Sequence, residues 1–226
     1  MKTRQLTDVQ LVAEGVTRRE RGRFQFEACC VTSLYRYSLM AEDLRVGYWK
    51  LLVRCMAPKT ETALPAFEEC AGIMYETVRF DFARHWAADD DTRKRRMLDA
   101  IHRGARRASA HFHVPLAPFE RARTAVLARK FRNTFITQQK WDRRRKRVAR
   151  VECEHGLRAF RAWLAVYEGE TCVQRELAFQ TKPSERLFVP KLGPLRWTGD
   201  GTRRVELFSR RGERVAHLDV RNRVAT

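Results

Sequence analysis

His111-Phe112-His113 places two imidazoles two residues apart. On a strand they would share a face and could chelate a metal. His102 lies one helix earlier, but no neighbouring carboxylate completes a set. Zinc needs three or four convergent ligands, so the pair is expected to be ordinary helix-end histidines. Cys153-Glu154-His155 is a second short pair with the same deficit. Glu152 and Glu154 are one residue apart and fall on one face of a strand. Paired carboxylates there could hold magnesium. The more economical expectation is that they are ion partners of Arg150 or Arg158.

Nucleotide and hydrolase signatures are missing. The chain has no GxGxxG, GxxxxGK[ST], GxSxG or HExxH. Gly199-Asp200-Gly201 lacks the third glycine and a following helix, and predicts a hairpin turn. No cofactor, no metal and no catalytic residue is predicted.

Charge carries the stronger signal. The 226 residues hold 46 basic and 27 acidic side chains, a net charge of +19. Residues 1–91 are nearly balanced at −1 and residues 151–226 carry +4. Residues 92–150 hold 19 basic and 3 acidic side chains, a net of +16. A genome-wide bias toward arginine codons would raise arginine everywhere, but would not deplete acids in one segment. Self-repulsion on this scale costs stability, so the segment is expected to meet something negative.

The residues expected to make that contact are, first, Arg95, Arg96, Arg103, Arg106 and Arg107. Next come Arg121, Arg129 and Lys130, then Trp141 ahead of the run Arg143, Arg144, Arg145, Lys146 and Arg147. Five consecutive basic residues do not pack, and predict a loop or the lead-in to a strand. Trp141, directly before the run, is the aromatic best placed to stack on a base. Phe112, Phe119, Phe131 and Phe135 fall mostly on apolar stripes and predict core packing.

Along the chain, the first 20 residues predict a short helix or arm through Leu6, Val9, Leu11 and Val12. Alternation of Phe24, Phe26, Ala28 and Cys30 predicts a strand over 24–31, and residues 44–56 a second. Residues 62–75 predict a helix and 75–82 a strand. Asp89-Asp90-Asp91 both caps a helix and suits its dipole, so a helix is expected over 92–110. Its stripe is Met97, Leu98, Ile101, Ala105, Ala108 and Phe112. A Pro-containing turn leads to a second helix over 118–132, which makes a basic helical hairpin. The remainder predicts five or six antiparallel strands, with turns at 197–202 and at Arg211-Gly212.

The fold class is therefore α+β, a mainly antiparallel sheet with a central basic helical hairpin and a C-terminal β-meander. One domain is expected over 1–226, open to subdivision into an α/β part (1–91), the basic helical hairpin (92–147) and the meander (148–226). The N-terminus has no apolar run behind its charges, and the best apolar stretch, 28–35, is too short to span a bilayer. No membrane association is expected. Six cysteines without CxxC spacing predict reduced thiols and a cytoplasmic protein. The leading expectation is a non-catalytic protein that binds a polyanion, most simply nucleic acid through its phosphates. The alternatives are a factor for an acidic protein partner, such as an immunity-type inhibitor or adaptor, and an enzyme on an anionic substrate.

Overall fold

The computed structural model describes residues 4–57, 68–200 and 203–220. The architecture is α+β with mostly antiparallel sheets. The chain forms two compact units, Met1–Asn133 and Thr134–Thr226. The boundary falls inside the segment expected to be a helical hairpin. The two basic helices end before residue 134, and Thr134 opens a strand.

In the first unit, β1 (Asp8–Glu14) runs into α1 (Arg18–Met40) and then β2 (Lys50–Met56). Short β3 (Glu68–Cys70) and β4 (Ile73–Arg79) come next. The sheet order is β1-β2-β4-β3, with β1, β2 and β4 mutually parallel and β3 antiparallel at the edge. Val9, Leu11 and Ala13 of β1 are buried, as are Leu51, Val53 and Cys55 of β2. β4 adds Met74, Glu76 and Val78 in register with the β2 residues. On this side lie α1 and α3 (Asp90–Phe112), while α4 (Ala117–Ala128) packs chiefly on α1. The short α2 (Phe82–Ala87) joins β4 to α3.

Three expectations fail here. The N-terminal residues form strand β1 rather than a helix or arm, because the buried set is 9, 11 and 13. Residues 24–31 are helix, not strand. The buried positions of α1 include Phe24, Glu27, Ala28, Val31, Leu34, Tyr35 and Leu39, a helical spacing whose second member is an acid. Thr17-Arg18-Arg19-Glu20 is a capping box: the Glu20 amide donates to Thr17 Oγ1 at 3.3 Å and the Thr17 amide to Glu20 Oε2 at 3.0 Å. The helix expected over 62–75 is replaced, in its described part, by the β3–β4 hairpin; residues 62–67 lie outside the described residues. Ala71 and Gly72 form its two-residue turn, with φ of 53° and 78°.

The first basic helix comes out close to expectation, but α4 ends at Ala128 rather than 132, because Lys130 and Phe131 take left-handed φ of 49° and 56°. Asp89 caps α3 by accepting from the Thr92 amide at 2.7 Å, and Pro118 sits in the first turn of α4. Gly104 lets α3 settle on the sheet: a Cβ there would lie 2.3 Å from Val53 Cγ2 and 2.9 Å from Cγ1. Gly104→Ala is therefore expected to destabilise the unit by about 1–2 kcal/mol, overpacking outweighing the gain in helix propensity. In a Val53→Ala background the same change should cost less, which a double-mutant cycle by chemical denaturation would read.

The second unit is built from two antiparallel sheets. One is β5 (Thr134–Trp141), β6 (Arg147–His155), β7 (Phe160–Glu168) and β8 (Thr171–Thr181), in that order. The other is β9 (Leu195–Thr198), β10 (Arg204–Phe208) and β11 (Arg214–Asp219), ordered β11-β10-β9. Their facing sides form one core from Ala149, Val151, Phe160, Ala162, Leu164 and Val166 against Leu195, Val205, Leu207 and Leu218. Phe188 of α5 (Glu185–Phe188) stacks on Phe160, with centroids 3.7 Å apart. Both edges are tied across. Gln138 of β5 accepts from the Leu195 amide at 2.8 Å, and Gln174 of β8 donates to the Asp219 carbonyl at 2.9 Å.

Candidate functional site

The run of five basic residues is the turn between β5 and β6 and the first residue of β6. Asp142, buried at 5 % exposure, builds the turn. Its Oδ1 accepts from the Lys146 amide at 2.9 Å, and its carbonyl from the Arg145 amide at 3.1 Å. Its own amide donates to the Arg147 carbonyl at 2.9 Å, closing the hairpin. Arg145 takes φ of 53° to complete it. The arginine side chains contribute nothing to this geometry. Arg143, Arg144, Arg145 and Lys146 are exposed, and among the described residues none of these side chains meets a hydrogen-bond or ion-pair partner. Arg147 differs, because it pairs with Glu168 of β7 at 2.7 Å. Trp141, at the end of β5, is 50 % exposed.

The other expected contact residues lie in the first unit and divide into matched and unmatched. Three are tied to β4 or to the residues just after it. Arg107 pairs at 3.0 Å with Glu76, which is wholly buried on β4. Arg96 donates to the Asp81 carbonyl at 2.8 Å, its guanidinium 5.5 Å from the Phe80 ring centroid. Arg103 donates to the Arg79 carbonyl at 3.1 Å. A fourth, Arg121, pairs with Glu42 at 2.6 Å. Arg95, Arg106, Arg129 and Lys130 are exposed and have no such partner among the described residues. Acids distant in sequence thus neutralise part of the excess that the sequence displays.

The outer face of β5–β8 gathers residues that sequence patterns alone did not single out together. The pleat sends Ile136, Glu152, Glu154, Arg161, Trp163, Tyr167 and Arg175 away from the core. Arg175 lies over the Trp163 ring at 4.3 Å and donates to Glu152 Oε2 at 3.0 Å. Arg150 lies over Tyr167 at 4.4 Å. The Tyr167 hydroxyl donates to Glu152, and that hydrogen bond, with burial, pushes its pKa up to about 12. Glu154 approaches Arg161 only at 3.8 Å. The partners of Glu152 and Glu154 are therefore cross-strand arginines, not Arg150 or Arg158. Between these strands opens a cavity of about 540 Å³, lined by Thr134, Phe135, Ile136, Glu152, Cys153, Glu154, Trp163 and Arg175. A bulge at Thr137 interrupts the β5–β6 register beside it. The one sequence signal was parity: Trp163 is out of step with buried Phe160, Ala162 and Leu164.

His111 and His113 do not converge. His111 Nδ1 lies 2.6 Å from Glu76 Oε1, and His113 is the left-handed cap of α3 with φ of 53°. Burial, reinforced by Arg123 and Arg106, holds His102 below its ordinary pKa. Among the described residues no group of three or more His, Cys, Asp or Glu comes together as a metal site. None of the six cysteines forms a disulfide among the described residues, and burial pushes the Cys30 and Cys153 thiols up to about 12, away from thiolate reactivity. Among the described residues no helix is long and apolar enough to cross a membrane. The chain matches no family model, no curated protein and no solved structure.

Proposed function

We propose that the protein is a non-catalytic nucleic-acid-binding protein whose β5–β6 hairpin grips phosphates. One observation carries this reading. Four adjacent basic side chains, Arg143 to Lys146, stand exposed on a turn that Asp142 holds without their help. Four like charges so close repel one another, and no folded-state partner among the described residues offsets that cost. A polyanion would. Exposed Trp141 beside them adds a ring on which a base can stack.

Changing Arg143, Arg144 and Arg145 together to Ser tests the reading. The melting temperature should stay nearly unchanged or rise, since no structural contact is lost. Affinity for a mixed-sequence oligonucleotide should fall by roughly fivefold or more per lost contact, taking about 1 kcal/mol for each. The slope of log affinity against log salt should flatten by about 2 to 3. Arg203→Ser with Arg204→Ser removes residues already paired with Asp200 and Asp219, and should leave affinity alone. If the triple change leaves affinity intact, the hairpin is a solvated tip and the reading falls. Retention of a discrete acidic protein without nucleic acid on purification at low salt would favour a protein partner instead.

A further inference from the structure

We infer that the outer face of β5–β8 binds a single strand and that its cavity takes a guanine base. This rests on the nucleic-acid reading and specifies the ligand it takes. The cavity, about 540 Å³, lies within the usual range for small-molecule sites and has room for a base with its sugar. Phe135 and Cys153 face the core, so the side chains presented are chiefly Ile136, Glu152, Glu154, Trp163 and Arg175, with Thr134 at the edge.

These groups have distinct capacities. Trp163 and Arg175 are already layered at 4.3 Å, and Glu152 fixes the guanidinium from the side at 3.0 Å. A base stacks on such a guanidinium plane, or on the ring itself, whatever its identity. Identity comes from Glu154. Its carboxylate is 44 % exposed, and its ion pair with Arg161 is long at 3.8 Å. An ionised carboxylate only accepts, and accepts best from two parallel N–H groups. Among the exposed Watson–Crick edges, only guanine offers two adjacent donors, N1–H and N2–H. Adenine and cytosine each set a donor beside an acceptor, and uracil sets one donor between two carbonyls. A duplex hides these edges, so the strand must be single. The unpaired bases reach the cavity while the phosphates meet Arg143 to Lys146, which are carried on the hairpin of the same sheet.

The test is fluorescence anisotropy with labelled heptanucleotides, six uridines flanking a central guanosine, inosine, adenosine or uridine. Guanosine should bind about tenfold tighter than adenosine or uridine, and inosine, which lacks the 2-amino group, should fall between. Glu154→Gln should erase the guanosine preference and leave all-uridine binding within about twofold. Trp163→Leu should weaken all four probes, with near-unchanged melting confirming the fold. If all four bind the wild type equally, and salt still weakens them, phosphate binding stands and the guanine site is overturned. If no heptanucleotide binds even at low salt, both are overturned.

Discussion

Glu27→Ala is expected to lower the stability of the first unit by about 3–5 kcal/mol, the cost of leaving a buried charge without its partner. Glu27 sits on the buried side of α1 at 6 % exposure. It meets Arg23 at 2.9 Å, His85 at 3.3 Å and Arg93 at 3.4 Å. Arg93, itself 7 % exposed, also donates to the carbonyls of His85 at 3.2 Å and Trp86 at 2.6 Å. One carboxylate thus joins α1 to α2 and α3 through His85 and Arg93, both buried, while Arg23 is half-exposed. Glu27→Gln keeps an acceptor and should cost less. Chemical denaturation of the three proteins reads the difference.

The same group gives the acid limb of stability. Burial opposes the Glu27 charge, but the contact with His85, the hydrogen bond and charge of Arg23 and the charge of Arg93 outweigh it. Its carboxyl titrates below the ordinary 4.5. A depressed carboxylate stabilises the fold above its unfolded pKa, and that contribution is lost as pH falls through the folded value. The gap between wild type and Glu27→Gln should therefore be full above about pH 5 and shrink on further acidification. A gap that stays constant with pH, or a Glu27→Ala cost under about 1 kcal/mol, would contradict this account.

Glu27 also explains why α1 was hard to read. An acid in the middle of its apolar stripe broke the helical period, and the alternating Phe24, Phe26, Ala28 and Cys30 remained. The capping box at Thr17 and Glu20 was the signal that pointed the right way. Helices α3 and α4 were legible because acids and a proline punctuate them and their stripes are clean. The hairpin at Gly212, with φ of 87°, was legible because turn chemistry is local. β5 was missed because Thr134, Gln138, Gln139 and Lys140 interrupt its few apolar residues.

The site was legible in part. The position of the positive charge comes from counting, and Arg143 to Lys146 do stand exposed. Which arginines are already matched cannot be counted, because the partners are distant: Glu76 for Arg107, Glu42 for Arg121. The layered Trp163 and Arg175 join two strands and depend on a register no local pattern encodes.

Phosphate engagement by this protein should be visible in the salt dependence of binding to a mixed-sequence single strand. Arg143, Arg144, Arg145 and Lys146 of the second unit are exposed and unmatched among the described residues. If four phosphates are contacted, each releasing about 0.7 of a counter-ion, affinity should fall about 50-fold between 50 and 200 mM salt. Binding that is weak throughout, or that changes less than about threefold over that range, would contradict it.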